Sequence, residues 1–131
     1  MKKLVLFSIL SAFVFLVTIN VSAQTRQRVR FAAGTHGATV AGTVRGFAYR
    51  DYIVGASAGQ TIGFNLTSAN SFTVFTVFLP NGDNLDGATE MEKFSGELPN
   101  NGDYVIRVLM MRAEARRRGS ISNYKLRISI R

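Results

Sequence analysis

The stretch best suited to chemistry is Arg112-Ala113-Glu114-Ala115-Arg116-Arg117-Arg118-Gly119-Ser120. All its basic residues are Arg, whose planar guanidinium presents a fork of donors matched to a carboxylate. The segment contains good helix formers and is expected to be a loop or a single helical turn closed by Gly119. In a helical turn Arg112 and Arg116, spaced i,i+4, project from the same side. Recognition of an acidic group is the chemistry this pattern supports, set against the plainer reading of a solvated charged loop.

Other candidates carry less. His36 sits in the turn Gly34-Thr35-His36-Gly37 and reads as a solvated loop residue. No Gly-x-Ser-x-Gly elbow accompanies it, and no arrangement of acid, base and nucleophile stands out, so no enzyme is expected. Asn81-Gly82-Asp83-Asn84-Leu85-Asp86, with Glu90 and Glu92, is rich in oxygen ligands but lacks EF-hand spacing and reads as an acidic hairpin loop. Asn65-Leu66-Thr67 matches a glycosylation sequon but falls within an expected strand and carries no weight. With no Cys and one His there is no disulfide framework, no thiolate site and no paired imidazoles. Neither a metal nor a cofactor is expected.

The elements that would position the arginines are strands. Tyr124, Leu126, Ile128 and Ile130 alternate with Lys125, Arg127, Ser129 and Arg131, one face apolar and one charged. Gly102 to Met111 repeats the pattern with Tyr104, Ile106, Val108 and Met110. Ser71 to Leu79 is β-branched and aromatic throughout and reads as a central strand buried on both sides. Further strands are expected near Arg28–Ala33, Ala38–Arg45, Tyr49–Ala56, Thr61–Thr67 and Lys93–Glu97. Turn chemistry at Ala58-Gly59-Gln60, Pro80-Asn81-Gly82-Asp83 and Pro99-Asn100-Asn101-Gly102-Asp103 separates them. About eight short strands make an antiparallel β-sandwich.

The first 23 residues read as an export signal. Met1-Lys2-Lys3 is a positive start, Leu4 to Ile19 is almost wholly apolar, and Val21-Ser22-Ala23 is a small-x-small cleavage site. The mature domain is then 24–131, exported, with no stable membrane insertion after cleavage; the periplasm is the expected compartment, with secretion as the alternative. Removing Lys2 and Lys3 leaves 14 basic residues against 8 acidic ones, a charge of +6. Residues 24–50 carry five Arg and no acid, and residues 107–131 carry eight basic residues against Glu114 alone. Such ends form a positive patch. An exported protein rarely meets nucleic acid, so acidic protein, glycan or lipid is the expected partner class.

Two resemblances follow. Leu98-Pro99-Asn100-Asn101-Gly102-Asp103-Tyr104-Val105-Ile106-Arg107-Val108 is similar to a hairpin of bacterial pre-peptidase C-terminal sandwich domains, which speaks to fold alone. A narrower likeness is to the periplasmic inhibitors of g-type lysozyme. It rests on Phe31-x-x-Gly34, Gly42-x-Val44-Arg45-Gly46-Phe47-x-Tyr49-x-x-Tyr52, Ala58-Gly59-Gln60, Arg107-Val108-Leu109-x-x-Arg112-x-x-Ala115-Arg116 and the closing strand from Asn123. The middle, from about Ser68 to Lys93, matches poorly.

The second resemblance implies a non-catalytic sandwich that plugs the cleft of g-type lysozyme. It implies that Arg112 and Arg116 reach into that cleft with Phe47 and Tyr49 beside them, and that Arg45 and Arg117 support the contact. Position 47 is more typically Tyr in that family, so Phe47 lacks a hydroxyl. A monomer is expected. Two further readings stand beside it: a glycan-binding module using the Arg face with Phe47, Tyr49 and Tyr52, and electrostatic adhesion to anionic lipid through Arg116-Arg117-Arg118.

Overall fold

A computed structural model describes residues 25–131; the export signal expected at 1–23 lies outside the described residues. The described residues fold as eight strands and one helical turn: β1 (Thr25–Arg28), β2 (Gly37–Arg45), β3 (Arg50–Ala56), β4 (Thr61–Ser68), β5 (Thr73–Phe78), β6 (Lys93–Glu97), β7 (Gly102–Met110), α1 (Arg112–Ala115) and β8 (Ile121–Ile130). Two four-stranded sheets, ordered β1-β3-β7-β5 and β2-β8-β4-β6, face one another as a β-sandwich.

Period-two patterning explains the interior strands. In β8 every second residue from Ser122 to Ile130 is buried and the intervening ones are exposed, because its one inward face meets the opposing sheet. Tyr104, Ile106 and Val108 of β7 and Tyr52 and Val54 of β3 meet Leu126 and Ile128 of β8 and Phe64 of β4 in a single core. Polar pins cross this core. The Tyr52 and Tyr124 hydroxyls lie 2.6 Å apart, and Thr73 Oγ1 is 2.6 Å from Ser122 Oγ. Gly42 of β2 is required there, since a Cβ on it would stand 2.5 Å from the Tyr124 hydroxyl.

Two expectations are corrected. The strand expected at Arg28–Ala33 is instead β1 at Thr25–Arg28, and it pairs parallel to β3, the one parallel pair among the described residues. Val29 and Phe31 alternate with Arg28 and Arg30 because they tuck against the core as the chain crosses between sheets, beyond the strand itself. The segment Ser71–Leu79 does hold a strand buried on both sides, but it lies at a sheet edge rather than in the centre. The acidic loop covers that edge. Phase-matched backbone bonds join Phe75 with Met91 and Val77 with Leu85 and Ala88, while Leu85 and Ala88 enter the core. An edge strand so covered has no free ladder to offer another chain.

Candidate functional site

Three connections cross between the sheets at one end of the sandwich: 46–49 from β2 to β3, 69–72 from β4 to β5, and 111–120 from β7 to β8. The turns at 57–60, 79–82 and 98–101 lie at the other end, so the Ala58-Gly59-Gln60 and Leu98-Pro99 motifs shape the fold remotely from this surface.

Of the two forms expected of the arginine segment, a loop or a single helical turn, it takes the helical turn, α1. The Ala115 and Arg116 N–H groups donate to Met111 O (2.9 Å) and Arg112 O (3.1 Å). Ala115 is seated in the core, while Arg112 and Arg116 are exposed. Gly119, at φ +76°, closes the segment in the left-handed region where a side chain is disfavoured. Neither Arg112 nor Arg116 forms an ion pair among the described residues. Arg117 does, reaching Glu114 at 3.3 Å. Glu114 also accepts from the Asn70 side-chain amide at 3.1 Å, which ties the turn to the β4–β5 connection.

The turn at 46–49 lies alongside. The Gly46 N–H donates to Ser120 O (3.1 Å), and Ala48 N–H closes on Arg45 O (3.0 Å). Phe47 is 64 % exposed, although nothing in local structure requires an aromatic in water. Arg45 is exposed and opposite Ile121 in the β2–β8 ladder. Tyr49 is half-buried, with the Arg107 guanidinium 3.9 Å over its ring. Arg107 is in turn forked onto Asp51, at 2.9 Å from Nε and 3.0 Å from the terminal nitrogen. That hydrogen bond holds the Arg107 pKa above its usual value. Arg107, Asp51 and Tyr49 thus brace the start of β3, where the turn ends.

The structure brings Arg112, Arg116, Arg117, Phe47, Tyr49 and Arg45 to one end. It does not bring Tyr52 there. That side chain is buried in the core with its hydroxyl on Tyr124, so the aromatic platform of Phe47, Tyr49 and Tyr52 expected of a glycan-binding module does not exist. Sequence reasoning also passed over Asn70, Phe72 and Ile121, which belong to this end; Phe72 is 46 % exposed and Ile121 38 %. Ser71 and Phe72 fall within the strand expected at Ser71–Leu79, and Asn70 lies just before it. The signal for this run was an Asn two residues before an aromatic, the pattern of an Asx turn, and Asn70 Oδ1 does accept from the Phe72 N–H at 3.0 Å. His36 is exposed in its turn, and among the described residues no group of three or more His, Cys, Asp or Glu is placed to hold a metal.

The sandwich is similar to the crystal structure of the periplasmic inhibitor of g-type lysozyme from Aeromonas hydrophila. The TM-score is 0.71 and the identity 33 %, over 82 % of this chain and 98 % of that one. This chain belongs to the family of periplasmic inhibitors of g-type lysozyme. A mutant of the Escherichia coli inhibitor gives a TM-score of 0.67 at 26 % identity, over 83 % of this chain and 100 % of that one. In sequence, the chain is 25 % identical over 138 residues to the inhibitor of g-type lysozyme of Escherichia coli K12, spanning 99 % of this chain and 95 % of that protein. No family model matches. The lysozyme-inhibitor family consists of inhibitor proteins rather than enzymes, and its compartment is the periplasm.

Proposed function

We propose that this inhibitor-family protein binds g-type lysozyme and blocks its substrate cleft with the end of the sandwich that carries α1. What supports the reading most is the likeness to the Aeromonas hydrophila inhibitor, 33 % identical over 98 % of that chain. Arg112 and Arg116 are the cleft contacts, exposed and free of ion pairs among the described residues. Phe47 packs beside them, and Tyr49 adds its half-buried ring, braced by Arg107 at 3.9 Å. Arg45 supports from β2. Arg117 supports through Glu114, holding the turn as much as touching the target.

The chemistry fits the proposal. Glycoside cleavage needs a carboxylic acid in the cleft, and an arginine fork on a braced turn matches it without large rearrangement. Inhibition is by exclusion of substrate, with no covalent step. A standard interface of roughly 1,200–2,000 Å² is within reach of one end of such a domain. The mature protein is residues 24–131, freed of its export signal and acting as a monomer.

The test is a turbidity assay of peptidoglycan lysis with purified residues 24–131 titrated against g-type, c-type and i-type lysozymes. Stoichiometric loss of g-type activity alone is expected. Truncating a desolvated interfacial Arg costs about 2–5 kcal/mol, so Arg112→Ala and Arg116→Ala should each weaken inhibition at least tenfold. Wild-type protein inert on g-type enzyme sinks the target assignment; retention of full inhibition by both variants sinks the contact assignment.

A further inference from the structure

We propose that the β4–β5 connection is a third arm of the inhibitory surface, with Phe72 as its apolar anchor and Asn70 as the residue that positions it. The proposal rests on the reading of g-type lysozyme as the target. Four large apolar side chains are exposed among the described residues: Phe47, Phe72, Met91 and Ile121. Three of them, all but Met91, sit on or beside the connections that surround α1. Phe47 and Ile121 lie on the side of the sheet containing β2 and β8, joined to the turn through the Gly46–Ser120 bond. Phe72 lies on the side of the sheet containing β5 and β7, where its carbonyl accepts from the Met111 N–H at 2.8 Å. The exposed arginines therefore stand between two apolar flanks.

Aromatic and Arg side chains dominate the binding energy of protein interfaces, and a ring on a fixed backbone loses little freedom on contact. The Asn70 side-chain amide adds to the backbone bonds that hold this connection, Thr73 N–H to Asn70 O at 3.0 Å and Met111 N–H to Phe72 O at 2.8 Å. Asn70 Oδ1 takes the Phe72 N–H at 3.0 Å, and Asn70 Nδ2 lies 3.1 Å from Glu114 Oε1 and 3.4 Å from Ile121 O. One side chain thus ties the Phe72 arm to the arginine turn and to the first residue of β8. The partner this surface fits is a protein cleft with carboxylates at its centre and an apolar wall beside them. A bare anionic polymer would use the arginines and leave Phe72 idle.

The experiment compares Phe72→Ala, Asn70→Asp and the Arg112→Ala/Arg116→Ala double variant with the unaltered protein in g-type lysozyme inhibition. Thermal melting and amide hydrogen exchange accompany each. Phe72→Ala should keep the wild-type melting temperature and weaken inhibition at least tenfold, chiefly through faster dissociation. Asn70→Asp keeps the acceptor for the Phe72 N–H but loses the donor and sets a carboxylate against Glu114. It should weaken inhibition and speed exchange across 111–117, an effect Phe72→Ala lacks. Full inhibition by Phe72→Ala, with the double Arg variant impaired, overturns the third arm and leaves the target reading intact. Loss by Asn70→Asp with unchanged exchange at 111–117 overturns its positioning role. Absence of inhibition by the unaltered protein overturns both.

Discussion

The forked pair of Asp51 and Arg107 gives an asymmetric prediction. Asp51 exposes 6 % of its side chain and Arg107 30 %, so the two charges differ in what they can do once alone. Arg107→Ala strands a buried carboxylate whose nearest remaining cation is Arg26, at 3.7 Å. Breaking a buried pair from one side costs about 3–5 kcal/mol, and Arg26 holds this case near the lower end, at about 3 kcal/mol. Asp51→Ala leaves a guanidinium that still meets water and still stacks on Tyr49 at 3.9 Å, with Phe78 at 5.1 Å. Its cost is the lost charge-assisted fork, about 2 kcal/mol. The double variant removes both charges, and its cost should fall short of the sum by about 1–2 kcal/mol. Urea denaturation at neutral pH measures all three, and Arg107→Ala should also lower the melting temperature by on the order of 10 °C. Equal single costs, a larger cost for Asp51→Ala, or strict additivity would refute the argument that unequal burial governs this pair.

Two further perturbations test other parts of the frame. Gly42→Ala places a Cβ 2.5 Å from the Tyr124 hydroxyl and 3.1 Å from that of Tyr52, and the hydroxyls cannot part without losing each other. Overpacking together with that loss should cost about 2–4 kcal/mol, read as a lower urea midpoint at unchanged slope; an unchanged midpoint would show that the tyrosines yield freely. At the other end of the sandwich the Arg28 guanidinium donates to Asp103 at 2.7 Å and holds its carboxyl below the usual range. A lowered folded-state pKa means that this stabilisation is present above the unfolded carboxylate value, about 3.9, and is lost as pH falls through the folded value. The melting-temperature gap between wild type and Asp103→Asn should therefore hold from pH 7 to about 5 and close towards pH 2; a gap unchanged at pH 2 would rule out an ionised pair.

What the sequence made legible was whatever a single strand imposes on its own neighbours. β8 and β7 sit inside their sheets with one inward face, and their period of two appears directly in the residue types. β5 lacks that period because the strap at 83–91 closes its second side, and nothing in Ser71–Leu79 distinguishes a covered edge from a central position. Tyr52 could have been placed correctly. In β3 it shares parity with Val54 and Ala56, whereas Tyr49 falls on the other face, and the reading of both as surface aromatics ignored that alternation. Asp51 and Arg107 are 56 residues apart, and only the β3–β7 register sets them opposite each other.

The same logic governs the candidate site. The helical turn at 112–115 was readable from local helix formers and spacing, and the turn at 46–49 came with the family resemblance. The third connection had neither a local period nor a matching motif. Its place beside the arginines follows from sheet order: β4 and β5 lie in opposite sheets, so the chain between them must cross the sandwich end. β2 to β3 and β7 to β8 cross at the same end for the same reason. A surface assembled from three such crossings has its membership set by topology. Phe72 and Asn70 therefore become visible as parts of it only once β5 is paired with β7, with Thr73 opposite Met110. That register carries Phe72 to the residue preceding Arg112, which no reading of the 68–93 segment by itself could supply.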